Sequence, residues 1–137
     1  MATSTPAETR IRPPATFLRR VLFFDALTGL NSIPLALASG LISPFLGLPT
    51  LYLFIKFGLF GFYGVWLFFA LWRDPIPQWI SWPAIVWNIA VSGASLMTLV
   101  LDLYAVTTLG WLLLMSIVVG APVLSAVQYV GARRYYR

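Results

Sequence analysis

Three polar side chains stand in otherwise apolar stretches of this 137-residue chain: Asp25, Asn88 and Gln128. At about 1.5 Å of helix rise per residue, Asp25 lies on the order of 10 Å from the basic start of its stretch. Asn88 and Gln128 reach a similar depth in two other stretches. An ionisable side chain inside a membrane is expensive to bury, and it therefore marks a possible functional site. The three residues could form a polar pocket in which Asp25 binds a cation or a proton.

The same residues also have a structural interpretation, which the sequence favours. Scattered Asp, Asn and Gln side chains join helices inside membranes through hydrogen bonds of about 0.6 kcal/mol each. Asp25 could equally pair with Arg20 or with Arg73.

Lys56 is the one basic residue within an apolar stretch. It lies near the end of that stretch remote from the arginines, so its long side chain could extend to the interface at modest cost. Asn31 is closer to it in depth than Asp25 is, and could be its partner.

Catalysis is not expected from this inventory of residues. The chain contains neither Cys nor His, which removes thiolate chemistry, cysteine-based metal sites and the commonest proton shuttle. Hydrolysis or group transfer would need a nucleophile and a base within reach of each other, and the buried set holds one Asp. We therefore assign no catalytic, cofactor-binding or metal-binding residue, and no cofactor.

The elements that must position these side chains are transmembrane helices. The chain is 60% apolar and 9% charged, which is far from the balance of a soluble domain. Four apolar stretches are long enough to cross a bilayer. We predict an all-α integral membrane four-helix bundle over residues 17–137, with spans at about 17–41, 51–72, 82–101 and 109–130, after a flexible tail at 1–16. Thr50 and Ser81 are the expected N-caps of the second and third spans.

The distribution of basic residues predicts the orientation. Every arginine falls on one side of a four-span arrangement, and such an excess stays in the cytoplasm. We expect a bacterial inner membrane protein with both termini cytoplasmic, in contact with lipid, with other membrane proteins or with copies of itself, and not with nucleic acid. An alternative is a cleaved signal peptide that ends near residues 36–39, but Asp25, Asn31 and Pro34 interrupt its apolar core.

Small residues are spaced for close helix packing. Gly29 and Ser32 share one face of the first span with Asp25, and that face should contact protein. Gly58, Gly61 and Gly64 give the second span a smooth surface. This surface could pack within the bundle or against another subunit.

A shift of 63 residues aligns the two halves of the chain. It places Asp25 on Asn88, Gly29 on Ser92, and residues 46–47 on residues 109–110. Because each half contains two spans, both halves would enter the membrane from the same side, which predicts two parallel two-helix repeats. Chance similarity between leucine-rich stretches is the alternative.

The polar first span, the turn at 45–49, the third-span segment 87–95 and the ending 126–134 together resemble small four-span bacterial membrane proteins that have no established activity. The resemblance covers most of the chain after the tail. It implies a four-span topology and a bacterial inner membrane.

We therefore expect a non-enzymatic accessory or structural bundle. One alternative is a small oligomeric transporter or channel that uses Asp25 as its cation or proton site. Another is a module that binds a hydrophobic cofactor or a lipid, since 16% of the residues are aromatic.

Overall fold

The computed structural model describes residues 13–137, with side chains from Ala15 onward, so most of the predicted tail lies outside the described residues. Pro13–Thr16, the end of that predicted tail, already belong to the first helix. The elements, in chain order, are α1 (Pro13–Leu30), α2 (Ser32–Leu37), α3 (Ser39–Leu46), α4 (Thr50–Ala70), α5 (Gln78–Val100) and α6 (Thr108–Tyr135).

The prediction of an all-helical four-span bundle is confirmed. Four helical stretches are long and apolar enough to cross a membrane: Ala15–Leu37, Thr50–Ala70, Gln78–Val100 and Thr108–Tyr135. Helix α5 packs mainly on α6, while α4 packs on α1 and α2, and α1 joins the two pairs by contacting α6. The backbones of α4 and α5 seldom come close to each other, although the two helices follow one another in the chain.

Unlike a soluble protein, the bundle is apolar on its outside and buries polar residues beside its apolar core. Large apolar side chains cover the outside, including Leu37, Leu41 and Phe62, each at least 75% exposed. Many of the buried residues are polar instead, among them Asn88 and Gln128. This distribution suits a lipid solvent, in which polar groups gain by turning toward each other.

The first span is not the single helix that the sequence predicts. It divides at Asn31 and again at Ala38 into α1, α2 and α3. Pro34 explains the first break, because it has no N–H to donate to the carbonyl of Leu30. The backbone recovers its bonding around the breaks, where Asn31 N donates to Leu27 O (2.9 Å) and Ala38 N donates to Pro34 O (2.9 Å).

Both predicted N-caps are wrong. The third span begins at Gln78, ahead of the predicted start, and Pro77 precedes it as N-cap. Ser81 is fully buried within α5, where its hydroxyl lies 2.8 Å from that of Tyr136. Thr50 is the first residue of α4 and follows Pro49 as the N-cap. The cap that the sequence did not predict is Thr107, whose side chain accepts from Gly110 N at the start of α6.

The bundle has two different ends. At the arginine end, the guanidinium of Arg19 donates to Leu71 O and to Arg73 O, and Ile76 N donates to the Tyr135 hydroxyl. The turn between α4 and α5 therefore lies beside the start of α1 and the end of α6. At the opposite end, which we call the loop end, Thr107 N donates to Leu46 O (3.1 Å).

Helices α1 and α4 come into backbone contact. A Cβ placed on Gly29 would lie 2.6 Å from Gly64 Cα, and one on Gly61 would lie 2.6 Å from Ile33 Cγ1. A Cβ on Gly58 would meet nothing within 4 Å. Gly61 and Gly64 of the second span therefore pack within the bundle, not against another subunit. Gly58 takes no part in this contact.

Candidate functional site

The carboxylate of Asp25 is the centre of the buried polar cluster. Three donors reach its Oδ2: the Tyr63 hydroxyl (2.7 Å), Asn88 Nδ2 (2.9 Å) and Gln128 Nε2 (2.7 Å). Asn88 Nδ2 also lies 3.3 Å from Gln128 Oε1, which links two of the donors to each other. The structure thus brings together Asp25, Asn88 and Gln128, the three residues singled out in the sequence, and adds Tyr63.

Each span contributes one member of this Asp25 cluster. Asp25 lies on α1, Tyr63 on α4, Asn88 on α5 and Gln128 on α6. All four residues are buried, and Gln128 is entirely inaccessible. A single carboxylate oxygen is therefore the point at which all four membrane-crossing stretches are joined.

Neither arginine considered as a partner for Asp25 contacts it. Arg73 lies over the ring of Trp79, at 5.1 Å from its centroid, at the arginine end of the bundle. Arg20 is exposed on the surface of α1. Within residues 15–137 the ion pair found is Arg19–Asp74 at 3.4 Å, where the Asp74 side chain is 84% exposed. The Asp25 cluster is thus held by neutral hydrogen-bond donors.

Tyr63 is the member of the cluster that sequence reasoning missed. It stands in an aromatic-rich stretch among several phenylalanines. Its ring stacks on that of Trp87 with 5.1 Å between centroids, which aims the hydroxyl at Asp25. A tyrosine among phenylalanines deep in a span was the available signal, because a buried phenol hydroxyl usually finds a hydrogen-bond partner.

The chemistry open to the Asp25 cluster is limited by how completely it is enclosed. Asp25 is 4% exposed and Asn88 is 3% exposed, and the three donors converge on one carboxylate oxygen. No group of three or more metal-ligating side chains occurs within the part of the chain that the structure describes. This arrangement is suited to holding helices together, because one buried carboxylate oxygen accepts a donor from each of the other three spans.

Lys56 occupies a second polar site, nearer the loop end. Its ammonium donates to Ser95 Oγ on α5 (2.7 Å) and lies 3.4 Å from the Tyr52 hydroxyl, one turn away on α4. The partnership with Asn31 that the sequence suggested does not form, because Asn31 is exposed and Lys56 turns toward α5. Helical position around the axis, and not depth alone, decides which side chains meet.

A groove opens beside Lys56 between α4 and α5. Its volume is about 460 Å³, and Tyr52, Phe60, Trp87 and Tyr104 contribute aromatic surface to its lining. The backbones of the two helices come close at few points, and side chains bridge them, including the Tyr52–Thr98 hydroxyl contact of 3.0 Å near the loop end.

The contacts between the two halves of the chain bear on the proposed repeat. Asp25 bonds directly to Asn88, the residue that the shift of 63 aligns with it. The aligned glycines Gly47 and Gly110 both lie where the two halves meet at the loop end, so that a Cβ on Gly110 would overlap Leu46 O. Direct contact between aligned residues is expected near an approximate two-fold axis. The two-repeat interpretation stays a prediction.

Searches of family models, curated proteins and solved structures found no match to this chain. The contacts of the Asp25 cluster and of the groove are accordingly the basis on which its function can be argued, and they describe a multi-pass helical bundle with a closed polar centre and an open lateral groove.

Proposed function

We propose that this chain is a non-enzymatic accessory or structural protein of a bacterial inner membrane, with both termini in the cytoplasm. The observation that carries the proposal is the Asp25 carboxylate, whose Oδ2 accepts from Tyr63, Asn88 and Gln128 at once. An ionisable group that is bonded to each of the other three spans supports a structural role for the cluster.

The orientation is supported by the position of the arginines. Arg19, Arg73 and Arg133 belong to the same end of the bundle as the turn between α4 and α5. Positively charged residues are retained on the cytoplasmic side of such proteins. The arginine end would then face the cytoplasm and the loop end the periplasm. The resemblance to small four-span bacterial proteins supports the same placement.

A transport assay tests the structural role of Asp25 against the alternative of a cation or proton site. We expect purified wild-type protein in liposomes to show no proton or monovalent-cation flux above that of empty liposomes, because the Asp25 cluster is enclosed. The measurement is the fluorescence of a trapped pH indicator, and of a trapped cation indicator, after an imposed gradient. The matched variant is Asp25→Asn. Flux through the wild type that this variant abolishes, while it remains folded in the liposomes, would overturn the structural proposal.

A second function is favoured by the groove between α4 and α5. Its rim residues Leu51, Ile55 and Leu59 are exposed on the apolar surface of the bundle, so that the groove opens sideways toward lipid. Pockets that hold hydrophobic molecules are mostly apolar with a few polar groups, and this groove has that composition. As an accessory protein, the bundle would then also bind one hydrophobic ligand or lipid.

A further inference from the structure

The groove between α4 and α5 has a polar part and an apolar part, arranged along the membrane normal. Tyr52, Lys56 and Thr98 lie toward the loop end, whereas Phe60 and Trp87 lie deeper, toward the middle of the spans. Lys56 stands six residues from Thr50, or about 9 Å along the helix axis. A lipid in the leaflet at the loop end has the same order, with its headgroup near the helix ends and its chains pointing inward.

The charge of Lys56 has no counter-charge within the described residues. Its two hydrogen-bond partners, Ser95 Oγ and the Tyr52 hydroxyl, are neutral, and the Tyr52 ring lies 5.4 Å from the ammonium. The ion pair found in residues 15–137 is at the arginine end, between Arg19 and Asp74. Because a lysine ammonium has three N–H donors, one remains for a further acceptor.

Lys56 is also held in place and does not extend freely to the interface. The bond of 2.7 Å to Ser95 draws its side chain across to α5, and Ser95 is itself buried and donates to Val91 O (2.9 Å). A cation that is fixed at the side of an apolar groove, inside a span, gains most from an anion that enters with a hydrocarbon chain.

We propose that the groove binds one anionic phospholipid of the leaflet at the loop end, with the phosphate at Lys56 and an acyl chain along Leu59, Phe60 and Trp87. This inference rests on the ligand-binding function proposed above and adds the chemical class of the ligand. Lys56 and the Tyr52 hydroxyl supply the polar contacts to the headgroup. The apolar depth of the groove accommodates hydrocarbon, because its deeper lining residues carry no charge.

Fluorescence quenching by brominated lipids tests this assignment. The wild type is placed in phosphatidylcholine nanodiscs that contain a small fraction of either phosphatidylglycerol or phosphatidylcholine with the same dibrominated chains. Trp87 is the tryptophan that lines the groove, so the signal lost in Trp87→Phe reports on its occupant. We expect the anionic probe to be enriched at Trp87 about five-fold over the zwitterionic probe, the factor that one lysine near an anionic headgroup supplies.

Substitutions then separate the role of Lys56 from general surface charge. Lys56→Met should remove the preference for phosphatidylglycerol, and Lys56→Arg should retain it. Arg20→Met, which removes one charge at the arginine end, should leave it unchanged. If Lys56→Met does not fold, the wild-type comparison and Lys56→Gln still decide the question.

The possible results separate the binding of an anionic phospholipid from the more general ligand-binding function. Equal quenching by the two phospholipids would overturn the anionic ligand but leave a groove that accepts hydrocarbon chains. No quenching of Trp87 by either would overturn the ligand-binding function as well. Quenching by dibromostearic acid but not by brominated phosphatidylglycerol would overturn the phospholipid in favour of a free fatty acid.

Discussion

Asp25→Ala is expected to lower the free energy of unfolding by at least about 3 kcal/mol, because it leaves three buried donors without their acceptor. Tyr63, Asn88 and Gln128 all donate to Asp25 Oδ2, and each lies on a different helix. Leaving one buried donor without an acceptor costs roughly 1–3 kcal/mol. The measurement is reversible unfolding in mixed micelles as the fraction of denaturing detergent is raised.

The matched control is Ser125→Ala, which removes a single buried hydrogen bond. Ser125 Oγ donates to Ile85 O at 3.0 Å, and the residue is 4% exposed, as is Asp25. We expect that substitution to cost about 0.6 kcal/mol, the average for such bonds in membranes. Asp25→Asn should fall between the two, since an amide oxygen can still accept from the donors. A cost for Asp25→Ala no larger than that for Ser125→Ala would contradict the role of the cluster as the junction of four spans.

Gly29→Ala is the second substitution with a large expected effect, because it puts a side-chain atom into a backbone contact. The new Cβ would lie 2.6 Å from Gly64 Cα and 2.7 Å from Phe60 O. Backbone atoms cannot rotate away, so α1 and α4 must separate. Overpacking of this kind costs about 1–3 kcal/mol. The separation would also pull Tyr63 away from Asp25, which should place the cost at the upper end of that range in the same unfolding assay.

Gly58→Ala on the facing helix α4 provides the control, since a Cβ there meets nothing within 4 Å. It should be neutral or slightly stabilising, because alanine favours helix over glycine. The double variant with Gly29→Ala and Gly64→Ala should cost less than the sum of the two single variants, because both act through one helix separation. Additive costs, or a cost for Gly58→Ala equal to that for Gly29→Ala, would show that the close contact between α1 and α4 does not exist.

The sequence predicted how deep in the membrane the polar residues of the site lie. Asp25, Asn88 and Gln128 are scarce polar residues in apolar stretches, and a constant rise per residue places them at a common level. Hydrogen bonding between them follows if the helices pack together, as they do. The identity of the donors at Asp25 was less predictable, because Tyr63 is one of many aromatic residues in its stretch and its hydroxyl gives no periodic signal.

The sequence did not predict which helices are neighbours, or which way each helix is rotated about its axis. Asn31 matches Lys56 in depth, yet Lys56 turns toward Ser95 because α5 faces that side of α4 near the loop end. The groove could not be foreseen for the same reason. Consecutive helices usually pack closely. Here α4 packs mainly on α1 and α2, while α5 packs mainly on α6.

Helix ends were predicted poorly wherever proline was involved. Ser81 before Pro83 resembles a cap followed by a first-turn proline, but the helix begins at Gln78, so that Pro83 lies in its second turn. The break at Asn31 was likewise hidden inside an unbroken apolar stretch. The length of an apolar stretch is a strong signal that the stretch crosses the membrane. It is a weak signal that the stretch forms one unbroken helix.

The four-span arrangement is tested by the accessibility of single cysteines from the two sides of the membrane. The chain contains no cysteine, so each introduced thiol is labelled without background. Asp74→Cys at the exposed arginine end and Leu103→Cys at the exposed loop end place one thiol on each side of the bundle. We expect a membrane-impermeant maleimide to label Leu103→Cys in intact cells, and to label Asp74→Cys and Arg137→Cys only after permeabilisation. Labelling of Asp74→Cys and Leu103→Cys from the same side would contradict the four-span bundle.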